Sequence, residues 1–380
     1  MLDEDESTED VRAFSASWLR RHALALVASI VIAGGFVWLL RAGALPVVPP
    51  RTAFADVRWS MVLAYAVIFI GVHVARCSRW GLLIAPAQRP KLGLTVALGL
   101  IGYGALVLLP FRLGEAARPA LLHGKAKVPL GTSAGIVAAE RIVDGLVLSS
   151  VLFASLLGAK LVSPLPERIG NLPIPASIIP TVAWGGVIVF GSLSLGMVVF
   201  YLCQDPLRRL VARTLGKLAP KLALKLSTLM ASVADGFRFL RDLSTLPAFA
   251  LLTAIYWGLS IASIWLLVWA SGVPSPTLAQ AAVILGVIGL GLVVPNAPGF
   301  FGTFQISAYS AMVLFYPLEV VTSVGAVFVF LLYVIQMAGT LGSAAAALVW
   351  LLSESSWPRG LGRSRASEQA GARPIENGMK

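Results

Sequence analysis

Long apolar runs recur through the chain, at about 23–40, 57–75, 92–109, 132–159, 178–202, 247–270, 279–294, 300–315 and 321–352. In hydrocarbon no water remains to satisfy backbone N–H and C=O groups, so such runs form helices. A crossing needs about 20 residues at 1.5 Å each. By that measure 92–109, 279–294 and 300–315 are short, and each adjoins a Pro/Gly-rich polar break. The last run is too long for a perpendicular crossing, so it tilts, protrudes, or breaks near Gly339–Gly342.

Composition agrees. Charged residues make up 13% and apolar ones 57%, against about 25% and 45–50% in soluble domains. The net charge of +12 would suggest nucleic acid in a soluble protein, but here the cations gather between apolar runs, as the positive-inside rule requires. The first run follows Arg20-Arg21 and precedes Ala42-Gly43-Ala44, which resembles a cleavage site. It exceeds the usual signal core of about 7–15 residues and reads as a retained anchor.

Charge also orders the sides. Segment 203–246 carries eight Lys/Arg and residues 353–380 carry five, whereas 271–278 and 316–320 carry none. The Pro-rich stretch 161–180 has only Arg168 as a cation, which suits an outside loop. Both termini and 203–246 are therefore expected in the cytoplasm of an inner-membrane protein, and loop 76–91 with them. Run 132–159 must then start inside, so 92–131 enters and leaves on the cytoplasmic face. By the same parity 279–315 enters and leaves on the outer face.

The expected fold is all-α, a polytopic membrane protein with about six full spans plus two opposed re-entrant hairpins. Its parts are a cytoplasmic tail 1–22, a first membrane half 23–202 with hairpin 92–131, and a basic amphipathic segment 203–246. A second half 247–352 with hairpin 279–315 and a disordered cytoplasmic tail 353–380 complete it. Opposed broken hairpins are the mark of an inverted repeat, although identity between the halves is too weak to establish one.

Some residues do not belong in hydrocarbon. The first break, Leu109-Pro110-Phe111-Arg112-Leu113-Gly114-Glu115-Ala116-Ala117-Arg118-Pro119, ends one helix and starts another near Gly114, with Arg112, Glu115 and Arg118 spaced by three. Glu140-Arg141-Ile142-Val143-Asp144 lies inside run 132–159 and puts Glu140 and Asp144 on one helix face. An ionised side chain at mid-bilayer costs roughly 2.5–3.5 kcal/mol on insertion scales, so it persists when paired, wetted or needed. A simple arrangement pairs Arg112 or Arg118 with Glu140 or Asp144. The second break, 294–305, holds Asn296, Gly299, Gly302, Thr303 and Gln305, and a helix starting near Gly299 would aim its positive end inward. The plainer readings are an interfacial loop with snorkelling arginines, an ion-pair rivet and an ordinary outside turn.

Residues 207–240 alternate leucines and cations at helical spacing, broken by Pro220, as in interfacial amphipathic helices on an anionic leaflet. Cys77 and Cys203 are expected as free thiols on the cytoplasmic side. His22, His73 and His123 share no ligand spacing, so no metal or cofactor is expected.

The strings 110–118, 140–144 and 295–302, in this order among the apolar runs, resemble the lysylphosphatidylglycerol synthase transmembrane family, also called flippase-like, over about 20–350. The resemblance implies an integral inner-membrane protein related to translocators of aminoacylated phospholipids. Other relatives are linked to hopanoid or glycolipid handling. Gln305 stands where an acidic residue is expected in many relatives. The soluble aminoacyl-transfer domain is expected to be missing, so the chain is not expected to synthesise lysylphosphatidylglycerol.

The leading expectation is a lipid translocator, not an enzyme, in which Arg112, Glu115, Arg118, Glu140, Arg141, Asp144, Asn296, Gly299, Gly302 and Gln305 form the substrate site. Its partners would be membrane lipids with an anionic headgroup, and either a second copy of the chain or a lipid-biosynthesis protein. The alternatives are a membrane enzyme in lipid-linked glycan, hopanoid or aminoacyl-lipid metabolism, or a scaffold for such a pathway. No Ser/His/Asp set, paired metal ligands or phosphate loop favours the enzyme.

Overall fold

A computed structural model gives the fold and describes residues 27, 31–242, 244–294 and 296–356. The expected tail 1–22, the start of the first run and residues 357–380 lie outside the described residues. Among those described the regular structure is helical, without a strand beyond one isolated bridge between Ile169 and Leu172.

The helices are α1 (Val31–Ala42), α2 (Trp59–Ile84), α3 (Leu92–Leu108), α4 (Ala117–Ala126), α5 (Leu130–Gly158), α6 (Ile178–Leu202), α7 (Gln204–Leu218) and α8 (Pro220–Asp235). There follow α9 (Thr245–Ala270), α10 (Leu278–Gly291), α11 (Thr303–Met312), α12 (Leu318–Thr322) and α13 (Val324–Ser356). Four of them, α2, α6, α9 and α13, are long and apolar enough to cross a membrane. On α6 Trp184, Ile188, Val189, Leu195 and Leu202 are all exposed. A face of that kind is stable in acyl chains rather than in water.

Side-chain contacts fix the direction of each helix. Arg58 donates to the Trp269 carbonyl while Arg79 reaches Thr253, so α2 and α9 are antiparallel. Tyr65 meets Gln336 and His73 meets Thr340, so α2 and α13 are parallel. Gly81 lies by Thr95 and Gly99 by Cys77, which turns α3 back along α2. Gly145 meets Phe190 and Gly186 meets Ser149, setting α6 antiparallel to α5. Gly286 meets Leu152 and Gly289 meets Leu148, so α10 also runs against α5. One end of the bundle thus gathers Ile84, Leu92, Leu202, Thr245 and Ser356, and the other Trp59, Ile178, Ala270, Leu278 and Val324.

The hairpins α3–α4 and α10–α11 enter from opposite ends of this bundle, as parity requires. An order of elements also occurs twice. Helices α2, α3, α4 and α5 have 26, 17, 10 and 29 residues, and α9, α10, α11 and α13 have 26, 14, 10 and 33. Each series passes through a 3-10 turn between its two short helices (Pro110–Ala116 and Pro298–Phe300), and the two start from opposite ends. The second series also contains the five-residue α12, and the shared order of long and short helices, run from opposite ends, is the kind that an inverted repeat calls for.

Three expectations change. Helix α2 does not stop at 75 but runs to Ile84, so Arg76, Cys77, Ser78 and Arg79 lie within it rather than in a loop, and Cys77 is fully buried. Arginines do not end a helix whose neighbour supplies carboxylates, and the apolar residues Trp80–Ile84 continue it. Helix α13 passes unbroken through Gly339–Gly342. New helices begin at Ala117 and Thr303, three or four residues beyond Gly114 and Gly299, because a 3-10 turn precedes each. The basic segment forms α7 and α8, parted at Ala219 before Pro220, and α8 packs on the first turns of α5.

Candidate functional site

The tips of the two hairpins touch. Arg112 Nη1 donates to the Leu292 carbonyl at 2.5 Å, and Asn296 Nδ2 donates to the same oxygen at 3.4 Å. Phe300 packs against the buried cluster of Cys77, Tyr103 and Leu106. Both tips hold a non-glycine residue in the left-handed region, Arg112 at φ 59° and Phe300 at φ 56°. Such residues cost about 1–3 kcal/mol each and persist where surrounding contacts fix them. Gly299 (φ 69°) and Gly302 (φ 87°) supply the remaining left-handed positions, which only glycine adopts freely.

Behind the tips lies a buried ionic lattice. Arg79, on α2, grips Asp144 with both Nη atoms, at 2.6 and 2.8 Å, and reaches Glu140 Oε1 at 3.2 Å. Arg118, at the start of α4, donates to Glu140 Oε2. Tyr103 Oη donates to Glu140 Oε1 at 3.1 Å, and Arg141 approaches that oxygen at 3.5 Å. Arg79, Arg118 and Glu140 are at most 1% exposed. Carboxylates so deep are tolerated because each is multiply hydrogen-bonded to guanidiniums. Gly102 makes room for this lattice, since a Cβ there would strike Arg118 Cγ.

Nearer the tips Arg112 pairs with Glu115 at 2.8 Å. Arg141 Nε stands 3.9 Å from Glu115 Oε2, too far for a hydrogen bond, and both atoms are buried without a partner. Arg76 has no ion pair among the described residues. Its guanidinium sits over the rings of Tyr103 (4.1 Å) and Tyr256 (5.6 Å), held by cation–π attraction.

These groups border a cavity of about 1030 Å³. Arg76, Arg112, Glu115, Arg141 and Asp144 form its polar part, and Leu148, Phe190, Trp257, Ile264, Leu285 and Ile288 form apolar walls. It extends along α5 from Leu130 to Leu148, roughly 27 Å of helix. Leu109 and Leu113 on one tip and Val293 and Val294 on the other are exposed.

The expected site residues therefore separate. Arg112, Glu115, Arg141 and Asp144 line the cavity, whereas Arg118 and Glu140 stand behind it and hold the others. Arg112 pairs with Glu115 rather than with a carboxylate of α5, and Asp144 is taken by Arg79. Asn296 and Gln305 are buried in the second tip, where Gln305 Oε1 accepts from the Gly302 N–H and caps α11. Gly302 backs onto Phe36 of α1, and Gly299 stands beside the Tyr333 hydroxyl. Arg76 and Arg79 are further site residues, hidden from hydropathy because the apolar run of α2 ends before them. The apolar run resuming at Trp80 was the signal that the helix continues through them.

The four long apolar helices, with α5 and the two hairpins packed among them, make a multi-pass integral membrane protein. Residues 26–340 match the family described as the lysylphosphatidylglycerol synthase TM region. No curated protein and no solved structure matches the chain.

Proposed function

This chain belongs to the lysylphosphatidylglycerol synthase transmembrane family, and from that premise we propose that it binds the headgroup of an anionic lipid and carries it across the bilayer. The observation behind this reading is one cavity lined by Arg112 of a hairpin tip, Arg76 of α2 and Arg141 of α5, with apolar walls along α5, α9 and α10. Its polarity is that of a lipid. A bare ionised headgroup in hydrocarbon costs on the order of tens of kcal/mol by Born estimates. Guanidiniums of Arg76, Arg112 and Arg141 would replace its water while the chains remain among apolar side chains.

The hairpins enter from opposite ends, so each leaflet has one hairpin leading to the shared tips. Arg112, bound to Glu115 and to the Leu292 carbonyl, is the residue that must release for a headgroup to pass between them. Asp144 and Glu140 are engaged by arginines and act as holders. Glu115, with one free oxygen, is the carboxylate left to take up a proton and reset the groove. With no free pair of carboxylates beside the cavity among the described residues, movement without chemical change is favoured over catalysis. The basic helices α7 and α8 adjoin the end bearing Leu202 and Thr245, which supports that end as cytoplasmic in an inner membrane. Both termini would then lie on that side.

A headgroup-accessibility assay in proteoliposomes tests the reading. Fluorescent phosphatidylglycerol or phosphatidic acid should become accessible across the bilayer faster than in protein-free liposomes, with the lipid chemically unchanged. A rate equal to that of empty liposomes, or a new lipid product, would refute it.

A further inference from the structure

The charge balance around the cavity narrows the ligand, on the premise that it is a lipid. Five guanidiniums (Arg76, Arg79, Arg112, Arg118 and Arg141) face three carboxylates (Glu115, Glu140 and Asp144). Two positive charges are left over. Their location follows from the distances. Arg79 and Arg118 close on Asp144 and Glu140, and Arg112 closes on Glu115 at 2.8 Å. Arg141 is left with ion-pair distances of 3.5 and 3.9 Å, and Arg76 has no carboxylate within ion-pair distance among the described residues. Both line the cavity.

The cavity lining also offers unmet donors. Arg76 Nε, Arg141 Nε and Trp257 Nε1 are buried N–H groups without an acceptor, all on cavity-lining residues. Buried donors are left unpaired rarely, since each costs about 1–3 kcal/mol. Two spare charges and three spare donors match two negative charges on three terminal oxygens. We propose that the cavity takes a phosphomonoester headgroup carried on an apolar chain, with Arg76 and Arg141 as its ligands.

A phosphodiester supplies one negative charge and leaves one cation uncompensated in a low-dielectric site. A headgroup bearing an added ammonium makes the balance worse, so an aminoacylated phospholipid is disfavoured here. The neutral Gln305 and Asn296 do nothing to offset the surplus. The walls formed by Leu148, Phe190, Ile264, Leu285 and Ile288 call for a hydrocarbon chain, which a soluble phosphomonoester lacks.

Native mass spectrometry of the full-length protein in detergent at mildly alkaline pH tests this with phosphatidic acid, phosphatidylmethanol, phosphatidylcholine and glycerol 3-phosphate. Phosphatidylmethanol differs from phosphatidic acid by one methyl group and one charge. Phosphatidic acid should bind about tenfold or more tightly than phosphatidylmethanol, the worth of one charge-assisted contact, and glycerol 3-phosphate should not compete. Arg76→Gln should abolish the preference, and Arg76→Lys, which keeps the charge, should retain it. Equal binding of phosphatidic acid and phosphatidylmethanol overturns the phosphomonoester assignment while leaving an anionic-lipid site intact. Equal affinity for glycerol 3-phosphate overturns the lipid part of it. Equal binding of phosphatidylcholine overturns both the assignment and the anionic-lipid reading beneath it.

Discussion

Arg79 holds both carboxylate oxygens of Asp144 from 65 residues earlier in the chain, with the arginine wholly buried. The pair ties α2 to α5 beside the cavity. The same guanidinium reaches Glu140, so a single side chain positions both acidic residues of the lattice.

Removing Arg79 leaves Asp144 buried without its cation, which costs about 3–5 kcal/mol, whereas removing Asp144 still leaves Arg79 beside Glu140 at 3.2 Å. Arg79→Met is expected to lower the melting temperature sharply in detergent, and Asp144→Leu to lower it by less. The double variant should recover much of the loss. Additive losses in thermal denaturation would show that the two do not act as a buried pair.

Arg112 is different. Its ion pair with Glu115 is partly exposed, at 23% and 24%, and its other contact is a single hydrogen bond to the Leu292 carbonyl, so Arg112 is held less tightly than Arg79. Arg112→Ala should lower the melting temperature by less than Arg79→Met does and reduce lipid movement in proteoliposomes by tenfold or more. Normal movement would remove Arg112 from the site.

Gly102 admits Arg118 to the lattice, and a Cβ there would collide with its stem. Gly102→Val is expected to cost about 1–3 kcal/mol as an overpacking change and to impair lipid movement by displacing Arg118 from Glu140. A variant with wild-type stability and movement would show that Arg118 has slack.

Asp242 lies outside the apolar helices, before α9. Hydrogen bonds from the Ser244 and Thr245 side chains and backbone hold its pKa down at about 2. A carboxyl with a depressed folded-state pKa contributes stability above its unfolded value, and that contribution is lost as pH falls through the folded value. The stability gap between wild type and Asp242→Ala should be constant near neutral pH, shrink below about 4 and close towards about 2. A gap independent of pH would exclude this role.

The fold was legible where physics leaves little choice. Apolar runs mark the long helices, and counting charged loops gives the opposite entry of the two hairpins. The candidate site was half legible. Glu115, Glu140, Arg141 and Asp144 stood out as charges in apolar surroundings, but Arg76 and Arg79 looked like a cytoplasmic loop because hydropathy averages over side chains without seeing their partners. Asp144 explains Arg79, and that pairing is set by tertiary packing. Gln305 looked like a polar residue facing a substrate, and its role in capping α11 depends on the backbone turn at Gly302.

The claim on which the rest depends is that hairpins from opposite sides meet at the place a lipid headgroup must pass. Leu113 and Val293 are exposed neighbours of the Arg112–Leu292 contact. Leu113→Cys with Val293→Cys, in a Cys203→Ser background, should cross-link with a short bismaleimide and stop lipid movement, and each single variant should move lipid normally. Failure to cross-link, or undiminished movement in the cross-linked protein, would contradict it.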